Sequence, residues 1–242
     1  MARDDFGSVD ILTTQPSHGP IGMLVNGASR FHLSGWPGGS LHLEESCTHW
    51  GFVTESSATT VLVHDARYPL RSEMYFCLPH GGVVEGKGQG MIISQHDECG
   101  FFLIGGPIEE QGRLRYIDGC SDSLLIPPIL KGDACLNLLH VPPRTNQTAH
   151  THPSFRVGMV VRGTGTCRGD CGEQSLEPGT IFVIRRHARH SFHTTRRSLT
   201  IVAFHPDSDF GPTHEDHPML NRTILTSNSM AAKSTSDGAG RP

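Results

Sequence analysis

The chain of 242 residues exceeds the ~100–150 residues of a typical single domain, so it can bury one large core or two smaller ones. Hydrophobic residues make up 36% and charged residues 18%, and 28 glycines with 16 prolines favour short strands joined by turns over long helices. The formal charge of −4, with basic pairs only at Arg185–Arg186 and Arg196–Arg197, argues against nucleic acid or an anionic membrane as a general partner.

The opening stretch, MARDDFGSVDILTTQPSHGP, is acidic where a secretory leader is basic, and no segment of the chain approaches the ~20 apolar residues of a membrane span. A cytoplasmic protein is therefore expected. Residues 1–37 alternate turn formers with short apolar patches and read as an irregular arm or an edge strand. From about Gly38 a succession of β-type runs follows: TTVLVHDA, EMYFCLP, GGVVEG, GMIISQ, GFFLIGG, RLRYIDG, SLLIPPI, ACLNLLHVP, RVGMVVRG, GTIFVIRR and LTIVAF, most of them bounded by Gly, Pro, Asp or Ser. None extends to a long amphipathic helix, so the class is all-β. The chain then becomes polar and rich in small residues, as a disordered tail would be.

Three pairs of strings suggest an internal repeat. LVHDARYPL resembles LLHVPPRT, GGVVEGKGQG resembles VGMVVRGTGT, and FFLIGG resembles IFVIRR, in the same order and at offsets of about 76 to 80 residues. The seven cysteines are odd in number and widely spaced, which suits free thiols in a reducing compartment. Cys167 and Cys171 bracket a turn-like RGD, yet no second close pair exists to complete a zinc site with them.

The chemistry-bearing stretch is AHTHPSFRVGMVVRGTG. Side chains at i and i+2 of an extended strand share a face, so His150 and His152 can converge on one point. Downstream, EPGTIFVIRRHARHSFHT carries His187, His190 and His193 after a turn and a buried-type strand, and one of them can complete a three-nitrogen site. Together, HTHPSFRVGMVVRG and PGTIFVIRRHARH resemble the two motifs of the cupin superfamily. His150, His152 and Gly163 fall on the first motif, and Gly179 and His190 on the second.

The resemblance implies antiparallel β-barrels of jelly-roll type, two in one chain: a degenerate N-terminal barrel over 38–113, a metal-binding barrel over 114–210, and a lid-like segment with its tail over 211–242. It also implies a metal held by His150, His152 and His190, with His193 in reserve and His187 nearby. Two departures stand out. Arg156 occupies the place of the family's glutamate ligand, and Arg185-Arg186-His187 replaces a Pro-x-Gly. The implied ligand set is three histidines without a carboxylate, which leaves the full charge of a divalent ion to attract an anionic or enolisable substrate.

Arg156 would then bind a substrate carboxylate through its planar fork if it faces inward. His140 is either a catalytic acid or base or a hydrogen-bonded core histidine. Subtracting the repeat offsets carries the three histidines onto Met74, Phe76 and Glu110, so the first barrel is expected to lack the site; nothing in the spacing of His80, His96 and Glu98 demands a separate one. His205, Asp207, His214 and His217 belong either to a lid or to a surface loop.

Three functions compete. The first is a mononuclear Fe(II) dioxygenase, in which substrate and O₂ meet at the metal. The second is an isomerase, cyclase or lyase using Zn, Ni or Mn as Lewis acid, with His140 or Tyr116 carrying protons. The third is a binding or sensing module without turnover. A small-molecule substrate is the expected partner, and a homodimer would cover exposed sheet edges.

Overall fold

The computed structural model describes Phe6, residues 9–98 and residues 100–208. The lid-like segment expected over 211–242, with His214 and His217, lies outside the described residues. The first half of the described chain contains β1 (Ile11–Thr14), β2 (Gly19–Asn26), β3 (Ser29–Trp36), β4 (Gly39–Leu43), β5 (Cys47–Ser56), β6 (Thr59–Val63), β7 (Ala66–Leu70), β8 (Met74–Leu78), β9 (Gly82–Gly86), β10 (Gly88–His96) and β11 (Leu103–Gly105). The second contains β12 (Leu114–Arg115), β13 (Ser121–Ile126), β14 (Cys135–Val141), β15 (Arg156–Gly163), β16 (Gly165–Gly169), β17 (Gly172–Leu176), β18 (Ile181–Ile184), β19 (His190–His193) and β20 (Leu199–His205). A single 3₁₀ turn, Ile117–Gly119, is the only helical element among the described residues, and no helix there is long and apolar enough to cross a membrane. The fold is all-β, built of two antiparallel jelly-roll units.

Each unit pairs a large sheet with a small one. In the first, the large sheet runs β11-β8-β5-β10-β3-β2 and the small one β4-β9-β6-β7. In the second, the large sheet runs β1-β18-β15-β20-β14-β13-β12 and the small one β17-β16-β19. The two large sheets have the same strand order, with β3, β5, β8 and β10 matching β14, β15, β18 and β20. The edge strands are exchanged along the chain: β1, from the N-terminal region, closes the second unit by pairing with β18, while β11 takes the same place beside β8.

The described part of the 1–37 stretch is therefore not an irregular arm. It supplies β1 and the β2–β3 hairpin, and β2 is an edge strand. The repeat also differs from the string matches. Gly51 pairs with Phe76 in the first unit as Gly158 pairs with Phe182 in the second, and in both the aromatic ring lies where a glycine side chain would be. The β6–β7 hairpin matches the β16–β17 hairpin at a separation of 106 residues, close to that of the Gly51–Gly158 pair. At the 76–80 offset, by contrast, β6 would overlap β14 and β7 would fall in the loop after it. Runs of Val, Ile and Gly are generic to strands, and only hydrogen-bonded pairing sets which run corresponds to which.

Alternation along the strands divides the core into three. One face of each large sheet looks into its own unit, and these interiors form separate clusters around Trp36, Phe76 and Ile92, and around Phe182, Ile184 and Ile201. The opposite faces pack against each other through Phe31, Trp50, Phe52 and Met91 from the first unit and Phe155, Val157, Met159 and Phe204 from the second. Edge-to-face contacts of Phe31 with Phe155 and Phe204, at 5.3 and 5.8 Å, join the two sheets. Full burial of each such side chain contributes about 1.5–3 kcal/mol, so the halves share one hydrophobic interior.

The two motif glycines adopt a backbone that other residues resist. Gly163 has φ of 79° and leaves no room for a Cβ beside the Ser198 carbonyl, and Gly179 has φ of 87° in the turn before β18. Cys167 is buried in β16 and Cys171 exposed in the adjoining turn, and both are free thiols.

Candidate metal centre

The histidine site is assembled by backbone pairing. His150 and His190 form an antiparallel bridge in which each N–H donates to the other's carbonyl at 2.9 Å, and the His187 N–H donates to the His152 carbonyl at 2.9 Å. These bonds fasten the HTH segment onto the turn leading into β19. The extended backbone then turns His150 and His152 toward His190. The three rings lie 4.5–5.1 Å apart between centroids, and one ligand nitrogen from each lies within 4.8 Å of the others.

Tautomers follow from the carbonyls beside the rings. The Nδ1 atom of His150 is 2.9 Å from the Thr148 carbonyl oxygen, and Nδ1 of His190 is 2.9 Å from that of Ala188. A carbonyl only accepts, so in both rings Nδ1 carries the proton and donates, leaving the Nε2 lone pair available. Burial, reinforced by Arg156 and the neighbouring imidazoles, lowers the pKa of His152 to about 3; burial likewise lowers that of His190 to about 4 against the opposing Ala188 bond. Both rings are therefore neutral at physiological pH, the form that binds metals. The donor set fits a divalent transition ion.

The rings open onto a cavity of ≈ 290 Å³ inside the second unit. Leu139, Phe182, Ile184, Phe192 and Ile201 form apolar walls, and Tyr116, Asp122, Asn137, Arg156, Ala203 and His205 complete most of the lining. Arg156 begins β15 and faces this space. It is buried, with Nη1 donating to the Ser154 hydroxyl at 2.7 Å and to the Phe155 carbonyl at 2.8 Å, and its Nε has no protein partner. Asp122, on β13 of the same sheet, also lines the cavity and accepts from the Asn137 amide at 3.1 and 3.3 Å. Burial raises the Asp122 pKa to about 6, with the Asn137 bond opposing. Burial also raises the Tyr116 phenol, against the pull of Arg156, and lowers His205 well below the usual histidine range, with Arg156 and His152 adding to the effect.

Three expected candidates fall elsewhere. His140 is buried on β14, but its neighbour Leu139 is the residue that lines the cavity, so alternation turns His140 to the opposite face, where its Nδ1 lies 3.4 Å from the Thr200 hydroxyl. It is a hydrogen-bonded core histidine rather than an acid or base of the site. His193 is directed away as well, with Nε2 2.7 Å from the Ser191 hydroxyl, and the Nε2 of exposed His187 accepts a hydrogen bond from Arg186 Nε at 3.1 Å. Asp122 and Asn137 were not anticipated from sequence. The signal was a carboxylate inside the β-type run SDSLLI and an amide inside CLNLLHV, each a polar interruption of an apolar strand.

The sequence profile of the AraC-like ligand binding domain matches residues 142–225, a span that holds all three histidines and Arg156. No protein of curated function matches the sequence. Among solved structures, the chain is similar to a cupin 2 conserved barrel domain protein from Leptotrichia buccalis, with 10% identity over 84% of this chain and 90% of that one and a TM-score of 0.55. It is similar also to a salicylate 1,2-dioxygenase from Pseudaminobacter salicylatoxidans, with 12% identity over 76% and 75% and a TM-score of 0.56. A third is the protein Ylba from E. coli, with 13% identity over 83% and 84% and a TM-score of 0.55. With its paired sheets, matching strand order and these neighbours, the chain has a cupin-like fold.

Proposed function

We propose that this chain is a metal-dependent, cupin-type enzyme with His150, His152 and His190 as the ligands, and that it oxidises a small anionic metabolite with O₂ at a mononuclear iron. The observation that carries the reading is the convergence of three imidazoles beside a buried guanidinium in one cavity. A divalent iron held there would supply a redox-active Lewis acid. The chain's own residues do the rest. Arg156 offers an unpartnered Nε to a substrate carboxylate, Asn137 offers an unpartnered Oδ1 to a substrate hydroxyl, and Phe182 and Phe192 flank a planar body. A hydroxylated aromatic acid, the substrate class named for the salicylate dioxygenase neighbour, satisfies all three.

Asp122 favours a second, non-oxidative reading. Its carboxyl titrates near pH 6 within the cavity, which suits a proton carrier for an isomerase or lyase using zinc, nickel or manganese. One experiment separates these. Full-length protein purified without added metal is assayed for bound metals and for O₂ uptake with a panel of hydroxybenzoates. Iron with substrate-dependent O₂ consumption supports the oxygenase; stoichiometric zinc, nickel or manganese with none supports the second reading. Ligand binding without stoichiometric metal overturns both in favour of a sensing module, the role suggested by the matched profile.

A further inference from the structure

The first unit carries its own ligand cluster, at the place in its fold that corresponds to the Ser154–Asp207 contact beside Arg156 in the second. In the second unit Ser154 donates a hydrogen bond to Asp207 across the continuation of β15 and β20. Matching Gly51 with Gly158 through their aromatic partners places Cys47 on Ser154, and matching Ile92 with Ala203 through the same glycines places His96 on Asp207. Cys47 and His96 are direct cross-strand partners on β5 and β10, and Cys47 Sγ lies 3.5 Å from His96 Nδ1. The tight turn before β5, closed by the Cys47 N–H to the Glu44 carbonyl at 3.3 Å, brings the Glu44 carboxylate to the same point. One ligand atom from each of Glu44, Cys47 and His96 lies within 4.8 Å of the others.

We propose that Glu44, Cys47 and His96 form a second metal site, selective for a zinc-like ion and independent of the three-histidine centre. The donor set of thiolate, imidazole and carboxylate is the mixed N/S/O set that zinc accepts in tetrahedral geometry. With metal–sulfur and metal–nitrogen distances of about 2.3 and 2.0 Å, tetrahedral angles separate sulfur from nitrogen by about 3.5 Å, which is the separation the cluster already has. Outer contacts orient the ligands. His96 Nε2 lies 3.5 Å from His32 Nδ1, so His96 is held by one nitrogen while presenting the other. Glu44 Oε1 accepts from the Ser46 hydroxyl at 2.7 Å, and its carbonyl lies 2.9 Å from His49 Nε2.

The cluster grades from buried Cys47 through half-buried His96 to exposed Glu44, which gives an ion a path from solvent. Burial raises the Cys47 thiol to about 11, so without an ion it remains protonated and poorly nucleophilic. The grouping of His96 with Cys47 differs from the spacing-based set of His80, His96 and Glu98, because cross-strand pairing brings together residues that are 49 positions apart.

Cobalt(II) tests the assignment, since only a thiolate ligand produces an intense near-ultraviolet charge-transfer band and the three-histidine centre contains none. Metal-free full-length protein is titrated with Co²⁺. The expected result is a thiolate band that is complete by two equivalents in the parent and by one in His190→Ala, survives Cys171→Ser, and disappears in Cys47→Ser. Absence of the band, or its persistence in Cys47→Ser, overturns the site. Should Cys47→Ser fail to fold, the exposed Glu44→Gln variant decides: the band is kept but cobalt affinity falls by about tenfold or more, and unchanged affinity overturns the proposal.

Discussion

Replacing Arg156 by methionine separates a substrate-binding cation from a structural one. In the folded protein Arg156 is 9% exposed, its Nη1 donates to Ser154 and Phe155, and its Nε has no hydrogen-bond partner. Methionine keeps most of the apolar volume. The Ser154 hydroxyl still has Asp207 to donate to, and the desolvation cost of a buried cation disappears, so stability should change by no more than about 1 kcal/mol. A substrate carboxylate would lose a charge-assisted hydrogen bond worth about 1.5–3 kcal/mol, or about 10- to 100-fold in affinity. Calorimetric titration of the metal-loaded protein with salicylate, alongside urea denaturation, measures both. Arg156→Lys should fall between, because it keeps the charge and loses the fork. If Arg156→Met binds salicylate as tightly as the parent while losing 3–5 kcal/mol of stability, the guanidinium is a buried structural cation and the substrate argument fails.

Three further outcomes are expected. His150→Ala and His190→Ala should each lower bound iron well below stoichiometry, whereas His140→Ala should retain full metal content and lose only about 1–3 kcal/mol of stability; elemental analysis with thermal denaturation distinguishes them. Asp122 has a folded pKa raised to about 6, above its unfolded value of about 3.9, so the native state holds the extra proton between these and its stability falls as pH rises through that window. Asp122→Asn should remove that loss, its gain over the parent growing by up to about 2 kcal/mol from pH 4 to 7, and an advantage that does not vary with pH would refute the shift. Gly158→Ala would bring a methyl to 2.1 Å from Phe182 Cζ and should destabilise by about 1–3 kcal/mol, with Phe182→Leu restoring part of the loss; additive effects in the double-mutant cycle would mean that the ring does not occupy the glycine's space.

Much of the architecture and part of the site were legible from residues alone. Short β-type runs between Gly and Pro predict an all-β chain because turn chemistry and alternation are local properties, and the HTH spacing predicts shared facing for the same reason. The repeat was misaligned because apolar strand strings resemble one another wherever they occur, whereas the separation of 106–107 residues shows in the hydrogen-bonded partners of Gly51 and Gly158. His140 illustrates the limit at a single position: it and Leu139 are adjacent in sequence, and a shift of one residue decides which of them meets the cavity.

The amino-acid order therefore determined the strand class, the positive-φ turns at Gly163 and Gly179, and the i, i+2 presentation of His150 and His152, all of which depend on a few neighbouring residues. Tertiary structure decided which distant residues meet: His190 beside the HTH pair, Asp122 and Arg156 in one cavity, and Cys47 beside His96. Those meetings come from pairing between distant strands and from the packing of two large sheets, and long-range hydrogen bonding and burial bring such side chains together whatever their spacing along the chain.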